Sequence, residues 1–445
     1  MTYYLIPRNS FLITKNIDCI ATDNAPNPII SNSLSHYLYN IKEKIDKYEK
    51  DWDIFKKYTN PYEYIHTVTP GKKKSISIHK PLSRSYFKMI EIINTFSLNS
   101  NPKHMKCFHL AEGPGGFIEA LIKMRNNKND SYIGMTILDK NYDSNIPAWK
   151  KSENFLKQNE NVYIESGSDD TGNILSLDNF KYCKENYSSI MDFITADGGF
   201  DFSFDFNSQE VSITKLLFAQ ICFALVMQKK GGTFVLKIFD CFMEHSLDLI
   251  YILSSFYDKV YIMKPQTSRY ANSEKYLICK GFLYSSNEQF YSYLFNAFEK
   301  MVKINSDLYI DRFLSIPISY YFLSKIEELN AIFGQQQIEN IHYTISLIEN
   351  KHKHEKINNL IKINIKRCIQ WCIKNNINYN NYSLPNESEN YKETVIEYEN
   401  NNDYQEENIF TNDIVPEIPS FLGLYDSLNA SEIIQNESEK ELHYI

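Results

Sequence analysis

Apolar residues recur along this chain with two different periods, and the architecture is expected to change where the period does. Between Ser33 and Tyr64, Tyr37, Ile41, Ile45 and Tyr48 fall at helical spacing, which predicts a helical N-terminal segment over 1–79. From 80 to 285 short apolar runs alternate with longer helical ones. The runs are Cys107 to Leu110, Tyr132 to Ile137, Val162 to Glu165, Met191 to Ala196, Thr233 to Phe239, Lys259 to Met263 and Lys275 to Phe282. Strands alternating with helices predict βαβ units and a doubly wound α/β domain. The last two runs are separated by only KPQTSRYANSE, too short for a parallel crossover, so the final strand is expected to be antiparallel. Residues 286–380 return to helical periodicity. Beyond Asn380 the chain becomes rich in Asn, Glu and Ser, a composition that buries too little apolar surface to offset its ordering entropy. A disordered tail over 381–445 is expected, with one apolar patch, IVPEIPSFLGLY, that either docks on the body or a partner or idles as linker.

Composition adds three exclusions. With 43% hydrophobic and 23% charged residues over 445 positions, collagen-like, wholly disordered and disulfide-scaffold classes fall away. The eight cysteines, Cys19, Cys107, Cys183, Cys222, Cys241, Cys279, Cys368 and Cys372, form no CxxC pair, so reduced, buried thiols and no metal site are expected. The first residues lack the layout of a signal peptide, and no apolar run is expected to reach the ~18 to 20 residues that span a bilayer. A soluble, intracellular protein with no membrane partner follows, in nucleus or cytoplasm, the latter including a viral factory or virion. Charge is uneven: residues 381–445 hold 15 Asp and Glu against 2 Lys, so a net −8 conceals a body of about +5. A mildly basic body is compatible with a polyanionic partner.

Five motifs of the 80–285 region carry candidate chemistry. In CFHLAEGPGGFIEALI a strand runs through Glu112, Gly113, Pro114, Gly115, Gly116 and Phe117 into a helix. Glycines there allow a close backbone approach to a ligand beside a helix N-terminus. The spacing is not GxGxxG and no cation is near, which favours a ligand without a diphosphate. SRSYFKMIEI places Arg84 and Lys88 on one helix face. FITADGGFDFS ends a strand at Asp197, GGTFVLKIFD puts Lys237 inside an apolar run, and TSRYANSEKY places Arg269, Asn272 and Glu274 ahead of the last strand. All five would converge on the carboxyl edge where open α/β sheets bind ligands. A buried Lys237 beside a second cation such as Lys88 would be poised toward a base, with Asp197 and Glu274 holding both ammonium groups. Such an arrangement suits deprotonation of a weakly acidic hydroxyl better than hydrolysis.

EGPGGF, ADGGF, LKIF and TSRYANSEKY, in this order, resemble the FtsJ-like (RrmJ-type) S-adenosylmethionine-dependent RNA 2′-O-methyltransferases, particularly the cap-specific mRNA enzymes of eukaryotes and large DNA viruses. The resemblance covers about residues 80–283. It implies a Rossmann-like class I methyltransferase sheet, mostly parallel with an antiparallel last strand, and S-adenosyl-L-methionine as cofactor. It also implies a Lys-Asp-Lys-Glu tetrad of Lys88, Asp197, Lys237 and Glu274. Residues 112–117 would hold the methionine part, with Asp197 near the methyl-bearing end. The adenine contact falls on Asn173 or Asp170 in SDDTGNIL, where the family carries an Asp in a Gly-Asp-Ile-Thr-like segment. Asp139 aligns with the ribose position or is a solvated loop carboxylate. Arg84, Asn207, Ser208, Gln209, Arg269 and Asn272 match the RNA path of cap-specific relatives, and two of only six arginines fall there. The implied substrate is the capped 5′ end of mRNA, with capping or transcription proteins as further partners. A ribosomal or transfer RNA methyltransferase and a non-catalytic RNA-binding scaffold of the same fold are the alternatives.

Overall fold

β-branched and aromatic side chains concentrate in the runs that pair into the central sheet. A computed structural model describes residues 3–100, 102–138, 148–199, 207–305 and 307–380. The chain divides into a unit Met1–Glu389 and a unit Asn390–Ile445; the second, and with it the expected tail and its apolar patch, lies outside the described residues. In chain order the elements are β1 (Tyr3–Ile6), β2 (Ile17–Thr22), α1 (Asn32–Glu43), α2 (Glu49–Tyr58), α3 (Ser85–Phe96), β3 (Lys106–Leu110), α4 (Gly116–Arg125), β4 (Ser131–Met135) and α5 (Glu153–Gln158). There follow β5 (Val162–Glu165), α6 (Leu177–Tyr187), β6 (Met191–Ala196), α7 (Gln209–Ser212), α8 (Thr214–Met227), β7 (Gln228–Ile238), α9 (Glu244–Phe256), β8 (Tyr257–Met263) and β9 (Lys275–Phe282). The last are α10 (Tyr291–Lys303), β10 (Tyr309–Leu314), α11 (Tyr320–Glu349) and α12 (His354–Lys374).

Eight strands form one sheet in the order β1-β8-β9-β7-β6-β3-β4-β5. β5, β4, β3, β6 and β7 run parallel, while β9 inserts antiparallel between β7 and β8. Each of the seven expected runs forms a strand, and the last is antiparallel as its short connection requires. The chain winds outward from β3 to β5 and returns to β6 on the other side of β3. The loops after β3 and β6 therefore face each other at the switch point, where such sheets place their ligands.

Two expectations are corrected. Neither flank is purely helical: β1 of the N-terminal segment joins the large sheet against β8, and β2 pairs with β10, a strand inside the expected helical region 286–380. Four residues of β1 are too few for a period to show, whereas β2 does alternate, with Ile17 and Cys19 buried. The expectation about apolar runs also fails, because Gln209–Met227 is 19 residues long with mean hydropathy 1.7 and could cross a membrane by length and composition. In this fold 83% of that window is buried. A helix apolar on all sides is what a position between a sheet and a second helix layer calls for.

Alternation along the strands divides the core between the two faces of the sheet. In β7, Phe234 and Leu236 point to the face covered by α6, α8, α9 and α10, and Val235 to the face covered by α3, α4 and α12. Phe180 of α6 stacks on Phe298 of α10 at 4.8 Å on the first face. On the second, Trp371 of α12 meets Phe87 of α3 edge-on at 5.9 Å, and its Nε1 donates to Glu91. A third cluster joins α1, α2 and α11. All eight cysteines are buried and unpaired. Because Trp371 is 2% exposed, Trp371→Ala should cost roughly 3–5 kcal/mol of unfolding free energy. Urea titration would detect this as a lowered midpoint; a cost under about 1 kcal/mol would show that α12 is not part of the core.

Candidate active site

Glu112 organises the turn between β3 and α4. Its Oε1 accepts from the backbone N–H groups of Phe117 at 2.7 Å and Ile118 at 3.2 Å, satisfying donors that a helix start leaves open. Its Oε2 is buried and has no partner among the described residues, and burial, with Asp197 nearby, pushes the carboxyl well above its usual range. The glycines serve the chain itself. A Cβ on Gly113 would lie 2.5 Å from the Ala148 carbonyl oxygen, and one on Gly116 would strike the Ser83 and Ser85 hydroxyls. Gly115 has φ +107°, which favours glycine; a side chain there would meet Leu82 and Trp149 at 3.4 Å. At Gly113 and Gly116 neighbouring chain takes the space that a side chain would need.

The loop after β6 lies beside this turn, with the Asp197 N–H donating to the Leu110 carbonyl at 3.4 Å and the Gly198 N–H to Gln220 Oε1 at 3.0 Å. Lys237 of β7 reaches the same loop. Its Nζ donates to the Asp197 carbonyl at 2.7 Å and lies 3.3 Å from Asp197 Oδ1, which also accepts from the Tyr276 hydroxyl at 3.0 Å. The second ion pair is Lys88 of α3 with Glu274, Nζ standing 2.6 and 2.8 Å from the two carboxylate oxygens. Burial pulls the Lys88 ammonium below its ordinary value against the attraction of Glu274. Burial works the other way on Glu274, but Lys88 and then Lys237 hold its carboxyl well below the usual range. Each pair therefore lies in the field of the other, and the four residues singled out by sequence come together at the sheet's carboxyl edge.

Their supports were not legible in the motifs. Lys264, at the end of β8, donates to the Asn272 carbonyl at 2.6 Å, Asn272 Oδ1 at 2.8 Å and the Glu274 carbonyl at 2.9 Å. Three acceptors match the three protons of an ammonium, although burial pulls its pKa down to about 7. Asn272 is thereby a brace for the segment that delivers Glu274, and Gln209 is another, its Oε1 accepting from the Ser273 hydroxyl at 2.7 Å. Asn207 and Ser208 lie just before it at the start of α7. Arg269 is held in a bidentate pair with Glu63, at 2.6 and 3.0 Å, and Glu63 further accepts from Asn60 and Thr67. Arg84 immediately precedes α3, within the electrostatic reach of Arg269, Glu63 and Glu274. Of these partners only Tyr276 had a signal, the two-residue spacing from Glu274 that puts both on one strand face.

The expected cofactor contacts beyond the glycine turn divide. Asp170 is exposed with φ +56° and accepts from the Ser166 hydroxyl at 3.0 Å. Asn173 Oδ1 accepts from the Leu175 N–H at 2.9 Å, so that side chain shapes its own loop. The loop lies over the end of β4, where the Leu138 N–H donates to the Thr171 carbonyl. Asp139 lies outside the described residues.

Residues 81–282 match the model of the FtsJ-like methyltransferases. The fold of this region is that of an FtsJ-like methyltransferase. Over 345 residues the chain is 29% identical to cap-specific mRNA (nucleoside-2′-O-)-methyltransferase 2 of Pongo abelii, covering 74% of this chain and 43% of that protein. It is 34% identical over 231 residues to cap-specific mRNA (nucleoside-2′-O-)-methyltransferase 1 of Mus musculus, covering 50% and 27%. The type 1 protein of Trypanosoma brucei brucei is 25% identical over 261 residues, covering 55% and 65%. The chain thus spans less than half the length of the first two relatives. All three are eukaryotic, so the viral branch of the resemblance draws nothing from them.

Glu63, fully buried, owes its low carboxyl pKa to Arg269 acting against burial. A depressed folded pKa gives stability that is present above the unfolded value of about 4.3 and lost as pH falls through the folded one. Glu63→Gln should therefore cost roughly 3 kcal/mol at pH 7. In denaturant titrations at falling pH the gap to wild type should narrow below about pH 4. A gap that widens in acid would contradict the pairing.

Proposed function

We propose that this chain transfers a methyl group from S-adenosyl-L-methionine to a ribose 2′-hydroxyl at the capped 5′ end of mRNA. The observation that carries the reading is the joining of Lys237–Asp197 and Lys88–Glu274 at the sheet's switch point, beside a glycine turn with an unsatisfied buried acceptor. That acceptor, Glu112 Oε2, suits the ammonium group of an amino acid, and the turn of residues 113–117 would hold the methionine portion. When bound, the cofactor supplies a methyl already activated by its sulfonium charge. Asp197 occupies two directions around Lys237 Nζ and thereby aims the remaining one; a 2′-hydroxyl placed there has its proton directed and its oxygen lone pair freed for in-line attack. In its neutral form Lys237 would accept the hydroxyl proton on its nitrogen lone pair and release it to solvent, while the methyl group would pass from sulfur to the ribose oxygen. Lys88 and Glu274 act on Lys237 through charge and position. Most of the acceleration in such a scheme comes from positioning. The names of the relatives support capped mRNA as substrate.

Lys237→Ala should abolish methyl transfer while cofactor binding stays within about threefold, since Lys237 acts on the hydroxyl. Near-wild-type turnover by this variant would remove Lys237 from the mechanism. Labelled S-adenosylmethionine offered to RNAs with a methylated cap, an unmethylated cap or a 5′-triphosphate tests the substrate. Label on a ribose next to the cap, and only with capped RNA, supports the proposal and identifies the nucleotide. Label on uncapped RNA points to a ribosomal or transfer RNA enzyme, and no label despite cofactor binding points to a scaffold.

A further inference from the structure

Between Glu63 and Glu91 the chain contains no Asp or Glu, but five lysines and one arginine. Two of these cations, Arg84 and Lys88, belong to the site described above. The other four, Lys72, Lys73, Lys74 and Lys80, are exposed. No carboxylate among the described residues lies within ion-pair distance of Lys72, Lys73 or Lys80. Lys157, Lys181, Lys303 and Lys325, by contrast, each face a carboxylate three or four residues away on their own helix. Neighbouring cations repel one another, and an anionic partner relieves that repulsion.

The row is also held in shape. The backbone N–H groups of Ile76 and Ser77 donate to Tyr64 and Ile65, and that of Ile78 to Asn378. The Asn380 N–H returns a bond to Ile76, and Ser77 bridges to Tyr379. At its C-terminal end the segment is tied to α4, the helix that follows the glycine turn. Glu119 of α4 meets His79 Nε2 at 2.7 Å and accepts from the Leu82 N–H at 2.8 Å. An extended chain covers at most ~3.5 Å per residue. Lys80 therefore lies within ~14 Å of Arg84, and Lys74 within ~21 Å of Lys80. This is the span of a few nucleotides of single-stranded RNA. Arg269, the arginine expected on the RNA path, already spends Nε and Nη2 on Glu63, so a longer RNA calls for further cations.

We propose that Lys72, Lys73, Lys74 and Lys80 form a track for the sugar-phosphate backbone of the RNA that flanks the modified ribose. The inference rests on the methyltransferase reading and extends it to the path of the rest of the transcript. Contacts of this kind are sequence-independent and salt-dependent.

The test compares the full-length wild type with a Lys72→Glu/Lys73→Glu/Lys74→Glu variant, and separately with Lys80→Glu. One capped RNA of about three nucleotides is too short to reach the track, and another of about twenty exceeds a usual single-strand site. On the long RNA the triple variant should raise KM by about tenfold or more with kcat unchanged. It should also make the dependence of log affinity on log salt shallower by about two, close to 0.7 per lost phosphate contact. Lys80→Glu should produce a smaller change of the same sign. On the short RNA the triple variant should match wild type, and unchanged cofactor binding would show that both variants are folded. Equal KM and equal salt dependence on the long RNA would overturn the track. Fluorescence anisotropy of the long RNA reads the same difference without turnover. If wild type transfers no methyl, the function reading fails while the track is still judged by binding.

Discussion

A buried ammonium and carboxylate tolerate each other only when both are held in place, and the pair Lys88–Glu274 sets that requirement for the whole site. The residues stand 186 positions apart in the chain, one on a helix ahead of the sheet, the other on the approach to its last strand. Taking both out of water costs several kcal/mol per ion unless geometry and hydrogen bonds return it. The fold meets this by building around both ends. α3 is packed beneath Trp371, which meets its Phe87 edge-on. The segment bearing Glu274 is fixed from one side by Lys264 and from the other by Gln209 through Ser273. The antiparallel insertion of β9 between β7 and β8 completes the arrangement, setting Tyr276 opposite Lys237 in register.

Seen this way, the N-terminal and C-terminal additions are parts of the site's support. Glu63 precedes β3 by some forty residues yet locks Arg269 in the loop before Glu274. Glu91, buried on α3, collects the Gln266 and Thr267 N–H groups from that same loop and Trp371 Nε1 from α12. Burial raises its pKa to about 7 in spite of these donors. One carboxyl thus joins the domain, the loop and the last described helix. Rigid second-layer support of this kind is what holds a reactive constellation within the small tolerances that positioning catalysis demands.

The two arginines carried over from the resemblance occupy positions of unlike character. Arg269 is held by Glu63 through Nε and Nη2, while Arg84 stands at the opening of α3 beside the glycine turn. On the proposed function, further counter-charge for RNA phosphates comes from the exposed lysines of 72–80, on a backbone tied to α4. The glycine turn shows a parallel shift of meaning. Gly113 and Gly116 are small because neighbouring chain presses on them, and the chemically open feature of the turn is Glu112 Oε2.

The strand runs, their parallel order and the antiparallel last strand were legible in the sequence because period-2 alternation and connection length are local properties. The four charged residues were legible because each sits in a short motif at a strand end, where topology alone brings side chains to one edge. The two-residue spacing of Glu274 and Tyr276 was similarly available. What only the tertiary structure decided were pairings across long separations. Nothing in NPYEY announces that Glu63 will meet Arg269, and nothing in KPQ that Lys264 will brace Asn272. Strand β1 is too short to carry a period, and the apolar length of Gln209–Met227 reads as core only once sheet and helices surround it. Short-range pattern is written residue by residue; the partner of a buried charge is chosen by the packing that removes it from water.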